Sequence, residues 1–268
     1  MWSYFRFWAG MILGATMGWA QEVETLQRWN WPEKKVVWQR GEATSEQLFS
    51  EITSWGNMAE RRGDGLLVVL ASGGWLAGYG GEMVDETLHL ETVSWGKIEI
   101  PLEECAGILF PPDFSEKTFS EGLERLLAVE FSEDFLELRN GDRLTGEWVG
   151  WKEGKITFRL EEGDSRVELT LETTAIRRLG LASRLRQKER NGEIPLLLVG
   201  LRDGSLFPIY ETDAMQKNLD TLSPEEVVYL ESCRSAGESS EITEGLPPVS
   251  NRQWRQKLFP FTLPTTNH

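Results

Sequence analysis

Histidine is nearly missing from this chain: His89 and the terminal His268 are the only two among 268 residues. A Ser-His-Asp hydrolase would have to use one of them. His89 stands between Leu88 and Leu90 on a predicted strand, on the face opposite theirs, and reads as a surface residue. Cysteine is equally scarce, at two residues. No Cys-x-x-Cys, His-x-x-x-His, phosphate loop, dinucleotide fingerprint or Gly-x-Ser-x-Gly elbow occurs, so no metal, cofactor or serine-hydrolase chemistry is expected. Basic residues are outnumbered 28 to 43, leaving a net charge of −15. A surface of that sign repels phosphate backbones and anionic lipid, which argues against nucleic acid as a partner. Acids are so numerous that pairs such as Glu103-Glu104, Glu161-Glu162 and Glu225-Glu226 arise by chance, and they read as solvated edges and helix starts. A glycosidase pair needs a deep, shaped cleft, which a small barrel seldom supplies alone, so the expectation is a protein that is not an enzyme.

Long apolar runs are missing too. The uncharged run from Phe7 to Ala20 counts 14 residues, short of the roughly 20 that a spanning helix requires. With Arg6 before it and Gly18-Trp19-Ala20 closing it, residues 1–20 resemble a cleavable secretory signal peptide. The mature chain is then exported, periplasmic or extracellular, with no membrane span. Export permits a disulfide, and Cys105 with Cys233 is the pair available for one.

What is present is a repeat. Sliding the sequence on itself by about 68 positions aligns Leu70, Gly73, Leu76, Gly78, Leu88 and Leu90 with Leu138, Gly141, Leu144, Gly146, Ile156 and Phe158. One further residue of lag aligns Glu99, Ile100, Leu102 and Ala106 with Glu168, Leu169, Leu171 and Ala175. Each copy reads as five short strands, at 66–70, 75–80, 87–91, 97–102 and 107–110, then at 136–138, 144–148, 155–160, 166–171 and 176–179. Asn140-Gly141 is the dipeptide that a type I′ hairpin prefers. Five short strands without a long crossover suit a small closed antiparallel barrel. A helix is expected before each. Thr44 and Gln47 form a capping-box pattern, with Leu48, Ile52, Trp55 and Ala59 at helical spacing up to Gly63, and Phe119, Leu123 and Leu126 repeat that spacing. The expected organisation is an N-terminal strand or extension at 21–43 and helix plus barrel at 44–110 and again at 114–181. A partial third barrel at 194–233 follows, begun by Leu201-Arg202-Asp203-Gly204-Ser205, and then a linker and C-terminal arm at 234–268.

The run Phe135-Leu136-Glu137-Leu138-Arg139-Asn140-Gly141-Asp142-Arg143-Leu144-Thr145-Gly146 resembles the Sm-like members of the SH3-type small β-barrels, with their apolar strand, glycine turn and second-strand glycine. The resemblance covers about 135–180 and, more weakly, 66–110, and it implies a mainly β fold of tandem five-stranded barrels, each preceded by a short α-helix. The RNA-contacting asparagine and arginine-glycine pair of that family are not matched. The corresponding segments here are Lys152-Glu153-Gly154-Lys155 and Ile176-Arg177-Arg178-Leu179-Gly180. A second likeness is to secreted bacterial proteins in which such barrels precede a carbohydrate-binding module, carried by Val227-Val228-Tyr229-Leu230-Glu231-Ser232 ahead of the linker. That module itself is not found in this chain.

Tryptophan is the unusual residue, at twelve. Trp38, Trp55 and Trp148 occupy predicted core positions. Trp75 and Tyr79 share a strand face opposite Leu76 and Gly78, which makes them the candidate ligand-binding residues or, alternatively, a contact between modules. The functional expectation is an exported, non-enzymatic scaffold or interaction module with a protein or polysaccharide partner; the alternative is a carbohydrate-binding accessory protein of the cell envelope.

Overall fold

One hairpin turn occurs three times. Leu70, Leu138 and Leu201 each accept a hydrogen bond from the glycine three residues on, with the amides of Gly73, Gly141 and Gly204 all at 3.0 Å. Each leucine amide in turn donates to the carbonyl after that glycine, at 3.2, 2.8 and 2.9 Å for Gly74, Asp142 and Ser205. The three glycines have φ of 91, 94 and 89°. The residue before each is not left-handed, so this is a type I turn closed by a glycine bulge. It replaces the type I′ turn that Asn140-Gly141 predicts, which needs positive φ at both positions.

A computed structural model describes residues 24–30, 33–60, 65–110, 116–127, 131–162, 165–182, 194–210, 219, 221–233 and 257. The expected leader, the linker and, apart from Lys257, the C-terminal arm lie outside them. The chain is mainly β. Strands β1 (Thr25–Asn30), β2 (Lys35–Arg40) and β3 (Ala43–Leu48) form an antiparallel sheet, followed by a 3-10 turn at Phe49–Glu51 and the short β4 (Trp55–Gly56). The first turn joins β5 (Leu66–Leu70) to β6 (Trp75–Gly78), and β7 (Gly80–Val84), β8 (Thr87–Thr92), β9 (Gly96–Pro101) and β10 (Cys105–Leu109) complete that region. Helix α1 (Glu116–Leu127) leads into β11 (Asp134–Leu138), β12 (Arg143–Lys152), β13 (Lys155–Glu162), β14 (Ser165–Glu172) and β15 (Ile176–Gly180). The third turn joins β16 (Leu197–Leu201) to β17 (Leu206–Ile209), and β18 (Val227–Ser232) follows.

A second feature recurs with the turn. Short 3-10 turns at Leu102–Glu104, Thr173–Ala175 and Pro224–Glu226 immediately precede β10, β15 and β18. The residue after each turn leucine donates its amide to the last carbonyl of that 3-10 turn: Ala71 to Glu104 at 2.8 Å, Arg139 to Ala175 at 3.0 Å and Arg202 to Glu226 at 2.8 Å. Strands lie near the expected positions in both copies, but the first has six and not five: the expected strand at 75–80 breaks at Tyr79, and Gly80–Val84 forms a further strand in a separate sheet.

The helix expected from Thr44 is not formed. Gly41, at φ 61°, closes a two-residue hairpin that pairs Arg40 with Ala43 and Lys35 with Leu48. The residues of the apparent capping box thus lie on a strand. There Gln47 accepts the Trp38 indole N–H at 2.8 Å, a buried donor that a helix would have left without that partner. The second helix forms as expected, and Phe119, Leu123 and Leu126 are fully buried.

The sheets are not closed barrels. Twelve strands run in the order β14-β13-β12-β11-β15-β10-β5-β6-β17-β16-β18-β4, while β7-β8-β9 forms a separate sheet. Closing either copy would require its last strand to meet its fourth. Instead β10 and β15 pair with each other, Gly107 opposite Gly180, so each last strand already has a neighbour on both edges. A Cβ at Gly180 would lie 2.0 Å from the Phe135 ring and one at Gly107 would lie 2.3 Å from the Leu179 carbonyl, so this seam admits only glycine.

The middle of the long sheet is buried on both faces, which explains its continuous apolar runs. Leu66, Val68 and Leu70 of β5 enter the larger core with the N-terminal sheet; Leu67 and Val69 face the second core under α1. Phe119 of α1 meets Trp75 edge-on at 4.9 Å, and Gly122 lets the helix approach Leu109.

Candidate functional site

Trp75 and Tyr79 are not brought together as an exposed pair. Trp75 is 6 % exposed, packs against Phe119 and donates its indole N–H to the Gly204 carbonyl at 2.9 Å, which joins the first copy to the third. Tyr79 is 63 % exposed and occupies a bend between β6 and β7. The period-two argument ends with the strand at Gly78, and Trp75 and Leu76 are both buried because β6 has packed neighbours on each side.

Cys105 and Cys233 are both buried, and no disulfide joins them. Cys105 belongs to the larger core and Cys233 to the one beneath α1. Burial pushes the Cys105 thiol well above its ordinary range, so it is an inert core residue. His89 approaches Glu99 at 3.8 Å on β8 and is four-fifths covered. Among the described residues no group of three or more His, Cys, Asp or Glu side chains is placed to hold a metal, and no helix is long and apolar enough to cross a membrane.

A cleft of about 1120 Å³ opens between the first two copies. Asp85 and Glu86 at the β7–β8 turn, Glu103 after β9, and Glu147 and Glu161 of β12 and β13 line it, with Arg159 facing them. Asp85 and Glu86 have φ of 47 and 58°, a left-handed pair without glycine. That turn is anchored where the Leu102 amide donates to the Glu86 carbonyl at 3.0 Å. Arg159 is ion-paired to Glu147 at 2.7 Å and to Glu168 at 2.8 Å, which hold its guanidinium in the charged form. Asp134, also in the wall, is structural: its carboxylate accepts the Trp148 amide at 2.9 Å and the Ala182 amide at 2.7 Å. The excess of carboxylates gives the cleft a field that attracts cations and repels anionic polymers. Forty-three acids hid these residues in the sequence, and only the fold separates those facing the cleft from the rest.

Two further clusters carry charge. Glu137, nearly buried, is contacted by Arg178 at 2.8 Å, Arg125 at 3.2 Å and Arg177 at 3.5 Å. Arg177 and Arg178 are thus engaged with a carboxylate inside this chain. On β18, the Tyr229 hydroxyl donates to Glu231 and the Lys257 ammonium donates to both, bringing one residue of the C-terminal arm against the third copy. Comparison with family models, with curated proteins and with solved structures found no match to this chain.

Proposed function

We infer that this chain is an exported, non-enzymatic interaction scaffold, built from two and a half Sm-like modules that open where their last strands join. The observation that carries the reading is the way the copies are fused. Backbone pairing of β10 with β15, and the buried contacts of the third turn with β6 and the β8–β9 loop, hold separate modules in one long sheet. A sheet fixed in that manner presents its loops and cleft to a partner without rearrangement, which lowers the ordering cost of binding. The acidity of the cleft favours a protein or a neutral polymer over an anionic one. The carbohydrate-binding alternative loses its paired aromatic platform, since Trp75 is buried and Tyr79 stands alone.

The test is saturable retention of the purified protein on cell-envelope fractions, run alongside a panel of glycoside, ester and peptide substrates. Retention without turnover supports the scaffold. Turnover abolished by Glu161→Gln or Glu147→Gln would sink it, because a scaffold has no carboxylate on which a reaction depends.

A further inference from the structure

The β14 edge ends the long sheet, and no described strand pairs with its outer side. Its inner side is fully used by β13, where Arg166 faces Glu161, Glu168 faces Arg159 and Glu172 faces Lys155. Between those charges Val167, Leu169 and Leu171 share the opposite face of the ribbon. That face is incompletely covered: Val167 is 40 % exposed, and Leu171 is only partly buried against the core. Natural sheets usually blunt an edge of this length or cover it. The equivalent edge of the first copy, β9, differs in both respects. Its Ile98 and Ile100 are fully buried, and it closes on Pro101, which has no amide hydrogen to offer a neighbour.

Paired with itself in the antiparallel sense, β14 is self-complementary. A dyad at Leu169 sets Arg166 opposite Glu172 of the second copy at both ends. The same register sets Val167 opposite Leu171 and Glu168 opposite Thr170. Sliding the register by two residues towards the C-terminus sets Glu168 against Glu172 and is repelled. The dyad therefore continues the sheet across two chains, joins the two exposed apolar strips and leaves no like charges opposed.

We propose that β14 is a dimer interface whose partner is a second copy of this chain, paired strand to strand about Leu169 with reciprocal Arg166–Glu172 ion pairs. The interface is isologous, as a closed two-fold contact requires. It is independent of the scaffold reading and would leave the acidic cleft duplicated on the dimer.

The experiment is sedimentation equilibrium of the purified protein and of three variants: Arg166→Glu, Glu172→Arg and the two together. The wild type is expected to dimerise, and each single change to weaken the dimer by about tenfold, since it places like charges at both ends of the dyad. The double variant restores opposite charges across the dyad and should recover the affinity. Within one chain the same double change sets a carboxylate against Glu161 and a guanidinium against Lys155, so its recovery cannot come from improved folding. A wild type that stays monomeric overturns the proposal, as does a dimer indifferent to all three variants. A dimer that forms only after residues 234–268 are removed also overturns it, because the chain's own tail would then be the occupant of that edge.

Discussion

The turns at 138–142 and 201–205 share one backbone and one pair of internal hydrogen bonds, yet they lie in opposite surroundings. Asn140 and Asp142 are exposed and bond mainly to each other, the Asn140 amide reaching the Asp142 carboxylate at 2.6 Å. Asp203, in the matching place to Asn140, is 3 % exposed. Its carboxylate accepts the Ser94 amide at 3.2 Å and the Ser205 amide at 2.9 Å, while its own amide donates to the Ser94 hydroxyl. Ser205 then accepts the Ala77 amide at 2.9 Å, and Trp95 stacks on Phe207 beside it. The short sequence Leu-Arg-(Asn/Asp)-Gly-(Asp/Ser) sets the turn in both copies. What each turn contributes to stability depends on what packs over it, and in the third copy that is the first.

The hardest blow to this comparison comes from Trp75, which holds the third turn from the β6 side. Trp75→Ala removes a buried ring, its edge contact with Phe119 and the bond to Gly204. It should cost about 3–5 kcal/mol in chemical denaturation. Tyr79→Ala, at an exposed bend, should change the midpoint little. Equal effects would mean that the third copy does not rest on the first through Trp75.

Asp203→Ala comes next. It leaves the Ser94 and Ser205 amides buried without their acceptor, a loss of about 2–4 kcal/mol. Asn140→Ala at the matching exposed position should fall within about 0.5 kcal/mol of the wild type. A similar cost for the two would show that the turn itself, and not its burial, carries the stability.

Much of this is legible in the sequence, and the reasons are specific. The strands of the first two copies follow from period-two alternation around turn glycines, and α1 follows from Phe119, Leu123 and Leu126. Residues 44–59 mislead because Thr44, Gln47, Leu48 and Ile52 satisfy a helical pattern as well as a strand ending in a 3-10 turn. The two-residue hairpin at Gly41-Glu42 settles the choice only once Trp38 needs Gln47 as an acceptor. Open sheets instead of barrels cannot be read from either copy alone, since the edge of β15 is taken by a strand about 70 residues away. The cleft is hidden for the same reason: its walls come from different copies.

The third copy also differs in its dependence on pH. Burial, with the hydrogen bond to Glu231, pushes the Tyr229 phenol up to about 12. Against the opposing effect of burial, hydrogen bonds to Glu231 and Tyr229 hold the Lys257 ammonium above its usual range. Both groups keep their protons in the folded chain after the unfolded chain has released them. Stability is therefore fully present below about pH 10 and declines towards pH 12, by about 2 kcal/mol for the phenol. The melting midpoint should fall across that window in the wild type and less steeply in Tyr229→Phe. A parallel decline in the two would remove the tyrosine from the account.

The smallest expected effect isolates the turn from its surroundings. Gly141 has φ 94°, and a Cβ there would meet nothing within 4 Å, so Gly141→Val tests backbone conformation without a clash. A β-branched residue resists positive φ, and relieving the strain means breaking the Gly141 amide bond to Leu138 or shifting the register of β12 against β11. The expected loss is about 1 kcal/mol or slightly more, with Gly141→Asn, which tolerates the left-handed region better, recovering part of it. Gly204→Val should cost more than Gly141→Val, because a distorted third turn also displaces Asp203 from Ser94 and the Gly204 carbonyl from Trp75. If the two valine variants melt alike, the buried copy gains nothing from its packing and the contrast between the turns fails.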